Sequence, residues 1–158
     1  MAEGTLEVGS TLFGDGETIP TVAAHSVAGG DNTSPPLSWS EGPEGTRSYA
    51  VTCFDPDAPT TVGFTHWLVF DIPVSVHELA AGATPPGVSG FTDWGENAWG
   101  GMAPPAGDDP HHYVFTVYAL DTDALGGGPT TTYALFRFMI RGHVLASGSV
   151  TGRFGVPG

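Results

Sequence analysis

Apolar residues come in short dense runs divided by glycine- and proline-rich stretches, and the runs set out a β protein. Two of them, Ser48 to Phe54 and His66 to Ile72, are rich in β-branched and aromatic residues with little polar interruption. Such runs suit central strands covered on both faces. Tyr113 to Leu120 predicts a third strong strand and Val144 to Thr151 a last one. Near the N-terminus, Thr5 to Val8 alternates like a half-buried strand, and Gly14-Asp15-Gly16 signals a turn. Asn32 to Trp39 reads as extended, because residues before proline avoid the helical region. Gly42-Pro43-Glu44-Gly45 is another turn. One helix is expected, from Thr131 to about Arg141, with Leu135, Phe138 and Met139 at i, i+3, i+4 spacing. Gly142 is its stop, and Arg141 suits the last turn. Residues 82–110 have no sustained period and predict a long loop, either functional or packed by Phe91, Trp94 and Trp99. Residues 152–158 read as a surface tail. No internal repeat or boundary interrupts the pattern, so one domain over residues 1–158 is expected.

Composition agrees with the pattern. With 24 Gly and 14 Pro among 158 residues, a helical bundle is excluded and short strands joined by many loops are favoured. A hydrophobic content of 40% excludes a disordered chain. Charge changes the picture more. Seventeen acids face four arginines, with no lysine and no glutamine, for a formal net charge of −13. That field repels nucleic acid and anionic membrane surfaces, so neither is an expected partner. It reads either as ordinary acidic solubility or as adaptation to a salt-loaded cytoplasm, where screening shortens the Debye length to about 3 Å at 1 M salt. On the halophilic reading the protein loosens as salt is withdrawn, so its melting temperature should fall steadily between concentrated and dilute KCl.

The single Cys53 excludes an internal disulfide and, inside an apolar run, reads as a small buried hydrophobe. Met1-Ala2-Glu3-Gly4 carries no basic region, and no run approaches the ~18 apolar residues of a membrane span. A cytoplasmic location without stable membrane insertion is expected.

Candidate chemistry gathers at two strand ends. Asp55-Pro56-Asp57-Ala58-Pro59 closes the first strong run, and His66-Trp67 opens the second. If those strands pair, a carboxylate reaches the imidazole and raises its pKa above the reference near 6.5, giving a positive patch in a negative protein. Pro104-Pro105-Ala106-Gly107 precedes His111-His112-Tyr113, which can add a second imidazole and a hydroxyl donor. Gly100-Gly101 and the Pro104 to Gly107 segment permit close backbone approach, with main-chain N–H groups facing a bound anion. Plainer readings stand beside these. The Asp-Pro-Asp stretch suits a turn whose carboxylates cap backbone N–H groups, His66 a structural role, and His111-His112 an exposed strand start. No zinc-type ligand spacing occurs, so no metal is expected. No Gly-x-Ser-x-Gly elbow, Gly-Lys phosphate loop or dinucleotide fingerprint occurs either, and no cofactor is expected.

Five segments in order resemble the phosphatidylethanolamine-binding family, nearest its bacterial and archaeal Raf-kinase-inhibitor-like branch. They are Ser34 to Trp39, Tyr49 to Pro59, Thr65 to Val69, Gly100 to Tyr118 and Gly142 to Gly148. The resemblance covers residues 5–155 and implies a mostly β fold of two antiparallel sheets with a few short peripheral helices. It also implies a small anion pocket at one end of the sheet that accepts phosphate-like groups. By position, Asp55 and Asp57 would lie at the pocket wall, His66 on its floor, Pro105 on its rim, and His111 and Tyr113 would be donors. Phe64 would be the aromatic beside the histidine. Two departures stand out: His112 replaces the arginine of the family's His-Arg-Tyr block, and Ala103 stands where glycine or cysteine is common. The implied function is a non-catalytic binding or regulatory protein for a phosphorylated or anionic small molecule. The alternatives are a surface-acting inhibitor of a protease or kinase, working through residues 82–110, and an Asp/His hydrolase using Asp55, Asp57 and His66. A homodimer is implied only by analogy with the bacterial branch.

Overall fold

The computed structural model describes residues 3–158. Its strands are β1 (Gly4–Thr5), β2 (Val8–Gly9), β3 (Leu37–Trp39), β4 (Ser48–Asp55), β5 (Phe64–Pro73), β6 (Glu78–Leu79), β7 (Val88–Ser89), β8 (His111–Leu120) and β9 (Val144–Phe154). One helix, α1 (Tyr133–Met139), and two single-turn 3₁₀ segments, Thr21–Ala23 and Ser26–Ala28, lie among them. Six strands form the main sheet in the order β1-β9-β8-β4-β5-β7, and β2-β3-β6 form a small second sheet.

The expected central strands take their places because both of their faces are covered. On one face, Tyr49, Val51, Cys53, Trp67, Val69, Phe115 and Val117 pack with Leu37, Trp39 and Leu79 of the second sheet. On the other, Ala50, Leu68, Phe70, Tyr118 and Leu120 pack beneath Phe136 and Ile140 of the helix region. Consecutive residues of β4 therefore alternate between two cores, which is why its sequence reads as an almost unbroken apolar run. Burial raises the Cys53 thiol well above its usual range, in keeping with its expected role as a small hydrophobe.

Four sequence expectations shift. Thr5 to Val8 is not one strand: Gly4–Thr5 pairs parallel with β9, whereas Val8–Gly9 crosses to pair with β3. The helix is shorter, with Thr132 as N-cap accepting from the Leu135 amide, and it buries a different stripe. Phe136 and Ile140, at i, i+4, enter the core against Phe70 and Tyr118, while Leu135 and Phe138 are 48% and 69% exposed. Both stripes have helical spacing, and the sheet surface selects between them. The expected surface tail is partly strand, since β9 runs to Phe154 with Gly152 and Phe154 buried, and the Gly107 amide donates to Val156 O. Finally, β5 and β8 each begin two residues early, so His66, His111 and His112 lie within strands.

The 82–110 segment is held down. It contains β7, buries Trp99 and half-buries Trp94, leaving Phe91 exposed. Asn97 Nδ2 donates to the carbonyls of Ser89, Gly90 and Pro129. Among the described residues, no helix is long and apolar enough to cross a membrane.

Candidate functional site

The antiparallel registers of β4 with β5 and β8 bring the two polar clusters to one end of the main sheet. Asp55 ends β4 opposite Phe64 of β5, and Cys53 lies opposite both Trp67 and Phe115. Alternation along β8 then turns His111 and Tyr113 to the same face as Asp55 and leaves His112 exposed on the other. His66 arrives by a different device. The β4–β5 register slips between Cys53 and Phe54, so His66 has no partner across the ladder and forms a β-bulge. The bulge lets His66 and its neighbour Trp67 both approach Trp99, at ring separations of 6.2 and 5.6 Å.

These residues enclose a cavity of about 400 Å³ lined by Asp55, His66, Pro105, His111 and Tyr113, with Phe64, Asp93, Trp94 and Ala103 completing the wall. Five of the six candidate residues are thus assembled. Asp57 is the exception and does not line the cavity. It is half-exposed, and one carboxylate oxygen accepts from both the His112 amide and His112 Nδ1, each at 2.7 Å. Burial opposes its charge, but these bonds outweigh burial and hold its carboxyl below the usual range. The turn reading also holds, since the Asp57 amide donates to Asp55 Oδ1 at 2.8 Å. His112, in place of the family arginine, therefore braces the loop after β4 and is not part of the cavity wall.

The imidazolium sits elsewhere than expected. Asp55 does not bond His66; its Oδ2 lies 2.7 Å from His111 Nδ1, and Asp108 Oδ2 lies 3.0 Å from His111 Nε2. Carboxylates only accept, so both ring nitrogens of His111 donate and the ring is charged. Burial resists that charge, and the bonds to Asp55 and Asp108 outweigh it, raising the pKa above the ordinary value for histidine. With both N–H groups engaged, His111 contributes charge to the cavity but no free donor. His66 is the reverse case. Only 3% exposed, its pKa is lowered by burial, against the opposing pull of the Gly100 carbonyl and Asp55. Its Nδ1 is 2.6 Å from Gly100 O, so that nitrogen holds the proton and Nε2 is bare in the neutral ring.

The Gly100, Gly101 and Gly107 amides, expected to face an anion, are already committed. The Gly100 amide donates to His66 O at 3.0 Å and the Gly101 amide to Asn32 Oδ1 at 2.7 Å. Tyr113 differs: fully buried, its hydroxyl makes no well-formed hydrogen bond, and burial together with the nearby Asp55 carboxylate raises its pKa. It is a donor in waiting. Phe64 lies 4.9 Å from the His66 ring, as its position implied.

Four contributors had no clear sequence signal. Asp93 ties the start of β5 by accepting from the Thr65 amide at 2.7 Å. Trp94 stacks on His25 at 4.1 Å and donates to Gly101 O. Asp108 reaches His111 from three residues upstream. Asn32 adopts a left-handed φ of 55°, a conformation asparagine tolerates well, to hold Gly101. Among the described residues, no group of three or more His, Cys, Asp or Glu is placed to hold a metal ion.

The family model described as Phosphatidylethanolamine-binding protein matches residues 9–155. The UPF0098 protein YbcL of Escherichia coli is 41% identical over 155 residues, covering 92% of this chain and 85% of that protein. YbhB of the same organism is 40% identical over 149 residues, covering 89% and 94%. The crystal structure of YbcL, described as a new member of the mammalian PEBP family, superposes with a TM-score of 0.91 at 39% identity over 97% of this chain and 99% of that one. A phosphatidylethanolamine-binding protein homologue from Chlamydia trachomatis gives a TM-score of 0.86 at 30% identity over 96% and 98%.

Proposed function

The chain belongs to the phosphatidylethanolamine-binding protein family, and from that premise we propose that it is a non-catalytic binding protein whose cavity takes the phosphate end of a small phosphorylated molecule. The observation that carries this reading is the pair at the cavity: the buried Tyr113 hydroxyl, with no well-formed hydrogen bond and only Asp55 close by, beside a neutral His66 whose Nδ1 is taken by Gly100 O. Donor and acceptor together match a phosphate monoester in its singly protonated form, whose second pKa is near 6. Tyr113 donates to one oxygen, and one proton is shared between His66 Nε2 and another. A fully ionised phosphate would instead meet Asp55, Asp93 and Asp108 with no proton to bridge it to His66.

Asp108 has a part in this reading. Its half-exposed carboxylate occupies the hydrogen-bonding direction of His111 Nε2. An incoming phosphate oxygen can displace it and accept from His111 in its place, so Asp108 acts as an internal competitor.

The hydrolase alternative finds less support. Thr60 Oγ1, the other hydroxyl at the cavity, donates to Gly63 O, and Cys53 is buried with its thiol held protonated. The inhibitor alternative needs 82–110 to present a free extended loop, whereas Asn97 and Asp93 by hydrogen bonds and Trp94 by its stack on His25 tie it to the body.

The test is a titration with inorganic phosphate and phosphoethanolamine, followed by NMR in concentrated KCl from about pH 5.5 to 8, which spans the ordinary histidine range. Saturable shifts should strengthen as pH falls, and His66→Ala should weaken affinity about tenfold or more, the loss of one charge-assisted hydrogen bond. Asp108→Ala should tighten binding. Shifts that ignore pH and both substitutions would sink the reading.

A further inference from the structure

A second cluster stands apart from the cavity. Two of the four arginines in the chain lie close together here, Arg137 in the last turn of α1 and Arg141 in the turn that follows the helix. They wall a cleft of about 650 Å³ over the outer face of the main sheet, floored by Thr116 and Tyr118 of β8 and Ser147 of β9. The other two arginines are occupied: Arg47 pairs with Asp123 at 3.2 Å, and Arg153 Nε donates to Gly16 O. Arg137 and Arg141 have no carboxylate within ion-pair distance among the described residues, in a chain with seventeen acids. The macrodipole accounts for a cation in the last turn, but not for two side by side without a counter-ion.

Arg137 is also fixed in place. Its Nη1 donates to Tyr133 Oη at 3.2 Å, and its guanidinium lies 6.0 Å from the Tyr118 ring centre and 5.9 Å from that of Tyr133. An aromatic cradle of this kind orients the planar fork and leaves its remaining N–H groups free. Glu3 on the rim supplies one negative charge against the two positive ones.

We propose that this cleft is a second anion site, in which Arg137 and Arg141 together hold a multiply charged phosphate group. Two guanidinium forks can clasp separate oxygens of one such group, and the Ser147 hydroxyl on the floor can donate to another. Elsewhere the net charge of −13 repels anions, so binding is local to this cleft. The site shares no residue with the cavity at the strand ends, and its fate is independent of that one.

The test uses pyrophosphate and inorganic phosphate as probes, titrated into wild type, His66→Ala and Arg141→Gln in concentrated KCl, with amide shifts read by NMR. Saturable shifts at Gly142, Val144 and Ser147 are expected in wild type and His66→Ala alike. Arg141→Gln, exposed and without a bond to the core, should keep the fold and weaken those shifts about tenfold, as expected for one charge-assisted contact. Pyrophosphate should bind more tightly than phosphate. No saturable shift at these amides, or shifts that persist unchanged in Arg141→Gln, would overturn the proposal.

Discussion

Replacing Asp55 with alanine should lower the unfolding free energy by about 3–5 kcal/mol, the usual cost of removing one partner from a buried ion pair. Both members of the pair are 3% exposed or less, and Asp55 also anchors the Asp57 amide, so alanine leaves the buried His111 Nδ1 without its acceptor and loosens the turn after β4. Against a typical stability of about 5–15 kcal/mol, that is a large fraction. The effect has a pH signature. The folded pKa of His111 is raised, so its pairing contributes in full below the unfolded value near 6.5 and is lost as pH rises through the folded value. Wild type should therefore lose stability above about pH 6.5, and Asp55→Ala should lose much of that slope. Urea unfolding at several pH values in concentrated KCl measures both. A wild type with no decline through that window would mean His111 is not the charged ring.

Gly101→Ala should be nearly as damaging and should also abolish binding. A Cβ at Gly101 would fall on Ala23 O and the His25 amide nitrogen, well inside van der Waals contact, and both are backbone atoms. They cannot turn aside, because Trp99 Nε1 donates to Ala23 O and the His25 amide donates to Met102 O, each at 3.0 Å. Overpacking of this kind costs about 1–3 kcal/mol. The displaced segment includes Gly100, whose carbonyl fixes the His66 proton on Nδ1. Thermal unfolding should show the lost stability, and a phosphate titration of the remaining folded protein should show no saturation. Full affinity in a folded Gly101→Ala variant would mean that the Gly100 carbonyl does not govern His66.

What could be read from the chain follows from how each feature is encoded. The long strands were legible because β4, β5 and β8 are buried on both faces, and burial leaves a continuous apolar run. The candidate residues were legible as blocks at the ends of those runs, and five of the six do meet at the cavity. Their wiring was not. Which carboxylate meets which imidazole depends on register: the β4–β8 pairing carries Asp55 to His111, while a one-residue slip between β4 and β5 sets His66 apart. The titration of His66 depends on burial, which adjacent residues do not announce, so its pKa is lowered by burial where a neighbouring carboxylate was expected to raise it. The helix shows the same limit, because two apolar stripes were available and only the sheet beneath chooses Phe136 and Ile140. The division of Thr5 to Val8 between two sheets likewise rests on pairings far along the chain.

On this reading His66 waits as a neutral base for a proton that binding secures. Nitrogen-15 NMR of its imidazole at neutral pH, before and after addition of phosphate, tests this most directly. The free ring should be protonated only on Nδ1, with Nε2 gaining a proton or a strong hydrogen bond once phosphate is present. A ring already doubly protonated in the free protein, or an Nε2 unchanged at saturating phosphate, would contradict it.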